Sequence, residues 1–111
     1  MTEIRACAVD DLDDGEILSV ANAPLPLAVC RVDAQWHAFE NNCSHEDFEL
    51  SEGMVEGTEV ECPLHGARFC LRTGAVRAAP ASKGIRVFAT REENGDIFVD
   101  LNKPLSVDET S

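Results

Sequence analysis

Apolar and polar residues alternate from Glu3 to Val9, with Ile4, Ala6 and Ala8 on one face, and this period of two predicts a half-buried strand. The acidic run Asp10, Asp11, Asp13 and Asp14 then reads as a solvated turn ending at Gly15. A second apolar segment covers Glu16 to Ala21, and the turn formers Asn22, Pro24 and Pro26 separate it from a third, Leu27 to Val32. Asp33 and Ala34 connect that segment to Gln35 to Glu40, which predicts a hairpin. Trp36, Ala38 and Glu40 share one face of its second strand, and His37 and Phe39 share the other. Between Asn41 and Gly66 the periodicity is lost, apart from a short strand predicted over Thr58 to Glu61. Ala67 to Leu71 and Ile85 to Thr90 read as strands, and Glu93-Asn94-Gly95-Asp96 as a hairpin turn. Ile97, Val99 and Leu101 mark the last strand, with fraying expected from Asn102. No internal repeat is visible, and no segment keeps a helical period for three turns. The expected fold is therefore all-β, an antiparallel sandwich or barrel.

Composition narrows the function. The 111 residues suit one domain, and a net charge of -12 argues against nucleic acid, whose phosphates need clustered cations. Membrane insertion is not expected either. The longest apolar stretch, Leu25 to Cys30, is interrupted by Pro26 and falls far short of the roughly 20 residues a spanning helix needs. Met1-Thr2-Glu3-Ile4-Arg5 has neither a basic start nor an apolar run after it, which leads to the expectation of a cytoplasmic protein. With one Trp, five Phe and no Tyr, the core is expected to be aliphatic, and Trp36 to belong to it.

The chemistry lies in the irregular region. Cys43-Ser44-His45 and Cys62-Pro63-Leu64-His65-Gly66 each offer one thiolate and one imidazole on a loop anchored by neighbouring strands. A single zinc ion would see two Cys and two His in an unusual mixed order. A two-iron cluster uses the order better, because one iron takes a thiolate from each loop and the other an imidazole from each. Cys7, Cys30 and Cys70 sit in apolar strand segments and read as reduced core residues. His37 stands apart from any Cys and reads as an ordinary histidine. Nothing forms a Ser-His-Asp set, a phosphate loop or an oxygen-activating two-His-one-carboxylate site, so no catalytic residue is expected.

In these C-x-H and C-x-x-H motifs the chain resembles the Rieske-type ferredoxins. Leu50-Ser51-Glu52-Gly53 and Phe69-Cys70-Leu71-Arg72-Thr73-Gly74 are similar to segments of bacterial members, and Ala79-Pro80 to the proline-bearing loop that covers the cluster. The resemblance implies an antiparallel β fold with a small cluster-binding subdomain. It spans residues 1–105 as one domain, with cluster-binding loops at about 41–82 and a frayed tail at 106–111. It also implies one [2Fe-2S] cluster per chain, with Cys43 and Cys62 on the inner iron and His45 and His65 on the outer iron near the surface. As an electron carrier without catalysis of its own, such a chain accepts single electrons from a flavin-dependent NAD(P)H reductase. It delivers them to a terminal oxygenase acting on aromatic or related substrates. Docking at the His45/His65 tip would be transient and the chain a monomer. Glu46, Asp47 and Glu49 would make that surface acidic, with Phe48 either an apolar contact at its centre or packed under the loop. The competing readings are a bound Rieske subunit of a nitrite reductase or iron-sulfur assembly system, and a structural zinc module.

The additional Cys pair that forms a disulfide between the cluster loops of respiratory Rieske proteins is missing here. Ala67 and the absence of Tyr leave fewer hydroxyl donors to the cluster sulfurs. The expected potential therefore lies near the low end of the Rieske range of about -150 to +300 mV. His65→Cys, which adds a negative ligand, is expected to lower the potential or abolish assembly. A redox titration giving the parent value for an intact variant cluster would overturn the ligand assignment.

Overall fold

The computed structural model describes residues 3–21, 23–43, 48–64, 66–79 and 83–104, the last three by backbone alone. The expected turn residue Asn22 and the expected tail 106–111 lie outside them. Ten strands form: β1 (Glu3–Ala8), β2 (Ile17–Ser19), β3 (Leu27–Val32), β4 (Gln35–Glu40), β5 (Met54–Glu56), β6 (Glu59–Glu61), β7 (Arg68–Cys70), β8 (Val76–Ala78), β9 (Val87–Glu93) and β10 (Asp96–Pro104). They make two antiparallel sheets, six strands in the order β1-β10-β9-β4-β3-β2 and four in the order β5-β6-β7-β8. Two short 3₁₀ turns, Val9–Asp11 and Leu50–Glu52, complete the described residues. The all-β expectation holds.

β3 shows why the two sheets stay together. Leu27 and Val29 point into one core with Cys7, Leu12, Val20, Ala38, Phe88, Ile97 and Val99. Ala28, Cys30 and Val32 point the other way, into a second core with Phe39, Leu50, Val60, Phe69, Leu71, Ile85 and Val87. Burial on both faces explains why this segment is a nearly continuous apolar run rather than an alternating one. On β4 the faces divide as expected, Trp36 and Ala38 toward the first core and Phe39 toward the second. Trp36 itself is only half-buried, with the Arg31 guanidinium over its ring at 5.7 Å.

The core is mainly aliphatic, as expected, with three phenylalanines at its centre. Phe39 and Phe69 are fully buried and are the largest such side chains, and Phe88 is nearly so. Few aromatics in a composition do not stop those few from sitting at the centre, where a large apolar side chain contributes about 1.5–3 kcal/mol.

Chain order matters for the site. The chain leaves the large sheet after Glu40, builds the small sheet, and rejoins beside β4, where Ala38 pairs with Phe88 and Phe39 with Val87. Glu40 and Arg86 close this neck. The Glu40 N–H donates to the Arg86 carbonyl at 2.8 Å, and the Glu40 carboxylate accepts from the Arg86 N–H and guanidinium, each at 3.2 Å.

Several boundaries differ from expectation. β1 stops at Ala8, because Val9 opens a 3₁₀ turn in which Asp11 accepts from the Ala8 N–H at 2.9 Å. β2 and β7 are shorter than the apolar segments suggested, whereas β9 runs on to Glu93. β5 and β8 were not expected, since three residues flanked by glycine or turn residues give no readable period. The last strand does not fray at Asn102 but continues to Pro104, which pairs with Phe88 after a register shift. Asp10, Asp11, Asp13 and Asp14 are exposed, as a solvated turn requires.

Two of the three two-residue hairpins have both central residues left-handed, Asn94-Gly95 (φ 52° and 82°) and Asp33-Ala34 (φ 52° and 65°), while Gly57-Thr58 has only Gly57 so. Asn-Gly suits that geometry; alanine does not, although its N–H donates to Asp14 Oδ1 at 3.2 Å. Ala34→Gly is accordingly expected to stabilise the protein by about 1 kcal/mol. An unchanged or lower denaturation midpoint would count against strain at this turn.

Candidate metal centre

Cys43 follows β4 by two residues and Cys62 directly follows β6, so each loop starts where a strand ends. The structure brings both cysteines into the second core, where they are 2% and 1% exposed, among Leu50, Val60, Ala67 and Phe69. The other two expected ligands, His45 and His65, lie outside the described residues, as do Glu46, Asp47 and Pro80.

The two loops close in the same way. The Cys43 N–H donates to the Phe48 carbonyl at 2.9 Å, and the Cys62 N–H to the Ala67 carbonyl at 2.8 Å, each spanning five residues. In the second loop the Gly66 N–H also donates back to the Cys62 carbonyl at 3.1 Å. Gly66 sits at φ 80°, a left-handed conformation that glycine adopts without strain. Phe48 is half-buried against the core, so of its two expected roles it takes the packed one. Leu64 is 41% exposed, and Pro63 beside it is exposed too.

A third loop repeats the second. Cys70-Leu71-Arg72-Thr73-Gly74-Ala75 matches Cys62-Pro63-Leu64-His65-Gly66-Ala67 at a spacing of eight residues. The Cys70 N–H donates to the Ala75 carbonyl at 2.8 Å, the Gly74 N–H to the Cys70 carbonyl at 2.7 Å, and Gly74 lies at φ 81°. The two turns share the pattern Cys-x-x-x-Gly-Ala and the same backbone closure.

Cysteines of three kinds result. Burial pushes the Cys30 thiol up to about 12 and raises that of Cys7 as well, so both stay protonated and pack as small apolar groups. Cys70 is reduced and 4% exposed, as expected of a core residue. It lies beside, rather than within, the two main apolar clusters. Burial acts to raise its thiol, yet hydrogen bonds involving Thr73, the Arg72 backbone and Arg77 outweigh this and leave it below the usual thiol range. The β7–β8 turn itself is closed by the backbone bonds of Cys70 and Gly74. Cys43 and Cys62 are the pair that sits at loop bases in a shared core, and no disulfide joins any of the five. His37 is half-buried on β4, and burial, then Arg72, hold its imidazole below its ordinary value. Its place is on a strand rather than on a cysteine loop.

The two loops are also braced against each other. A Cβ on Gly53 would come 1.9 Å from the Glu61 carbonyl oxygen and 3.1 Å from Pro63 Cδ. The end of the first loop region therefore lies directly on the residue before Cys62. Gly84 abuts the Gly74 carbonyl in a similar way, with its Cβ position 2.4 Å from that oxygen. Below them, Arg68 holds Glu59 and Glu61 across β6 and β7 at 3.5 and 3.4 Å. Two buried thiols at the bases of two closed, braced loops suit a thiophilic metal, and their donor set fits an iron-sulfur cluster.

Comparisons with known proteins agree with this arrangement. A family model described as "Rieske [2Fe-2S] domain" matches residues 2–89. The ferredoxin component of biphenyl 2,3-dioxygenase from Rhodococcus jostii is 43% identical over 101 residues, 91% of this chain and 94% of that protein. The ferredoxin subunit of 3-phenylpropionate/cinnamic acid dioxygenase from Escherichia coli is 40% identical over 102 residues, 91% of this chain and 95% of that one. Among solved structures, the Sphingomonas yanoikuyae B1 ferredoxin superposes with a TM-score of 0.84 at 34% identity, covering 88% of this chain and 97% of the other. A chain in the complex of reduced oxygenase and oxidized ferredoxin of carbazole 1,9a-dioxygenase also gives 0.84, at 35% identity, covering 89% and 93%.

Gly53 has an ordinary φ of -90°, so it is the close approach rather than the backbone conformation that excludes a side chain. Gly53→Ala is expected to cost about 3 kcal/mol by overpacking. Gly57→Ala, at φ 60° in open space, should cost only about 1 kcal/mol. Equal losses in chemical denaturation would contradict the bracing.

Proposed function

The chain belongs to the Rieske [2Fe-2S] family, and from that premise we propose that it holds one such cluster through Cys43, His45, Cys62 and His65. It is an electron-transfer component of the kind found in aromatic-ring-hydroxylating dioxygenase systems rather than a catalytic subunit. We further propose that it accepts electrons one at a time from a flavin-dependent NAD(P)H reductase and passes them to a terminal oxygenase. The observation that carries this reading is the placement of Cys43 and Cys62, almost fully buried in one core at the bases of two loops closed by the same backbone bond.

A cluster bound there supplies a one-electron carrier, its potential set by imidazole in place of thiolate on one iron. The chain's own residues do the rest. Leu50, Val60 and Phe69 keep water from the thiolates. The loop closures at Cys43 and Cys62 fix their backbones, so little rearrangement accompanies a change of charge. Residues 1–105 act as one domain, with 41–82 as the cluster-binding part and 106–111 as a tail. Among the described residues no helix is long and apolar enough to cross a membrane. With a net charge of -12, the protein works as a cytoplasmic monomer whose acidic surface meets basic patches on its partners, and it does not bind nucleic acid. The exposed Leu64, next in sequence to His65, supplies an apolar contact for the oxygenase at the His45/His65 tip.

Purified protein is expected to contain two irons and two sulfides per chain and, after dithionite, to give an EPR signal with a low average g. A colourless protein holding one zinc would reject the reading. Leu64→Glu is expected to leave that spectrum unchanged while slowing electron delivery roughly tenfold. An unaltered rate in stopped-flow reduction of the oxygenase would remove Leu64 from the docking surface.

A further inference from the structure

Asn41 is the buried polar residue of the described core, 3% exposed, and it stands two positions before Cys43. Its amide has each polar atom engaged. Nδ2 donates to Ser19 Oγ at 3.3 Å and to Ser51 Oγ at 3.1 Å, while Oδ1 accepts from the Ser51 N–H at 2.8 Å. Its own N–H donates to the Pro26 carbonyl at 3.0 Å. One side chain thus joins the edge strand β2, the end of β4 and the 3₁₀ turn Leu50–Glu52, across the neck of the first cysteine loop.

From Ser51 the connection continues. The Gly53 N–H donates to the Leu50 carbonyl at 2.9 Å, which fixes the turn, and Gly53 lies against the Glu61 carbonyl, one residue before Cys62. Cys43, Asn41, Ser51, Gly53, Glu61 and Cys62 therefore form a continuous path of covalent, hydrogen-bonded and close-packed steps between the two thiols. An apolar side chain of similar size would fill the site without the desolvation of an amide. What a fully satisfied buried amide adds is a single geometry.

We infer that Asn41 is a positioning residue for the cluster: through Ser51 and Gly53 it sets the first cysteine loop in register with the second, so that Cys43 and Cys62 reach one metal site together. This rests on the ligand assignment proposed above. Asn41 touches no metal itself and acts through the loop it closes. Asp at this position keeps the acceptor that Ser51 needs, and both serine hydroxyls are able to donate to it.

The test uses the full chain loaded with its cluster. Asn41→Leu is expected to lose iron to a chelator roughly tenfold faster than the parent and to shift or broaden the reduced EPR signal, with Asn41→Asp restoring both. A folded Asn41→Leu protein that keeps the parent rate of iron loss and the parent g-values, whatever its melting temperature, would overturn the inference. If Asn41→Leu does not fold, Ser51→Ala replaces it. That variant removes one hydroxyl and is expected to lose iron roughly threefold faster, whereas loss at the parent rate overturns the inference. A parent chain that binds no iron would reject the ligand assignment instead. Hydrogen exchange on the metal-free chain then decides the clamp: protected Ser51 and Cys43 amides that open in Asn41→Leu support it, and equal exchange in both proteins refutes it.

Discussion

Two-faced burial of the central strands is the constraint on which the rest of this structure depends. β3, β4 and β9 each send side chains into two cores, so the large sheet serves as the partition between them. Removing either core would expose Leu27 and Val29 on one side or Ala28 and Val32 on the other. With about 25 cal/mol for each Å² of apolar surface, that exposure far outweighs the contribution of partly exposed ion pairs such as those of Arg68. The small sheet is held by this apolar demand, and its charges decorate the outside.

Rigidity at the site follows from that arrangement. Cys43 and Cys62 are members of the same core that fastens the small sheet to the large one, so moving either thiol means disturbing Phe39 or Phe69. Glycines supply what side chains cannot. Gly66 takes a left-handed turn beside the second motif, and Gly53 lets two backbones touch between the loops. An electron carrier benefits from such a frame, because a site that shifts little between charge states wastes little of the driving force on reorganisation.

The strands with long apolar stretches or strong turn residues were legible in the sequence. Leu27–Val32 and the Asn94-Gly95 hairpin came from pattern and turn chemistry alone, and the four-ligand spacing and its family resemblance pointed to the right cofactor class. What escaped was set by tertiary context. β5 and β8 are three-residue strands that exist because a neighbour offers hydrogen bonds, which no local period records. Ala34 at a left-handed position contradicts its own preference. The loop that Cys70 opens closes through backbone bonds from Cys70 and Gly74, which no local period records. Asn41 drew no notice because a buried amide is recognised by its partners, and Ser19 and Ser51 are distant in sequence.

The pairing of β1 with β10 joins Glu3 to Asp100 and Ile4 to Val99, nearly the two ends of the chain. A ribosome releases the first of these strands long before it makes the second. The large sheet therefore cannot close until β10 has been made. Contacts so far apart along the chain slow the search for the native state, because the entropy of a long loop is lost before the contact rewards it. For this protein the interval between the making of β1 and a finished sheet is built into the topology, and β3 and β4, joined by a two-residue turn, are suited to nucleate the structure meanwhile.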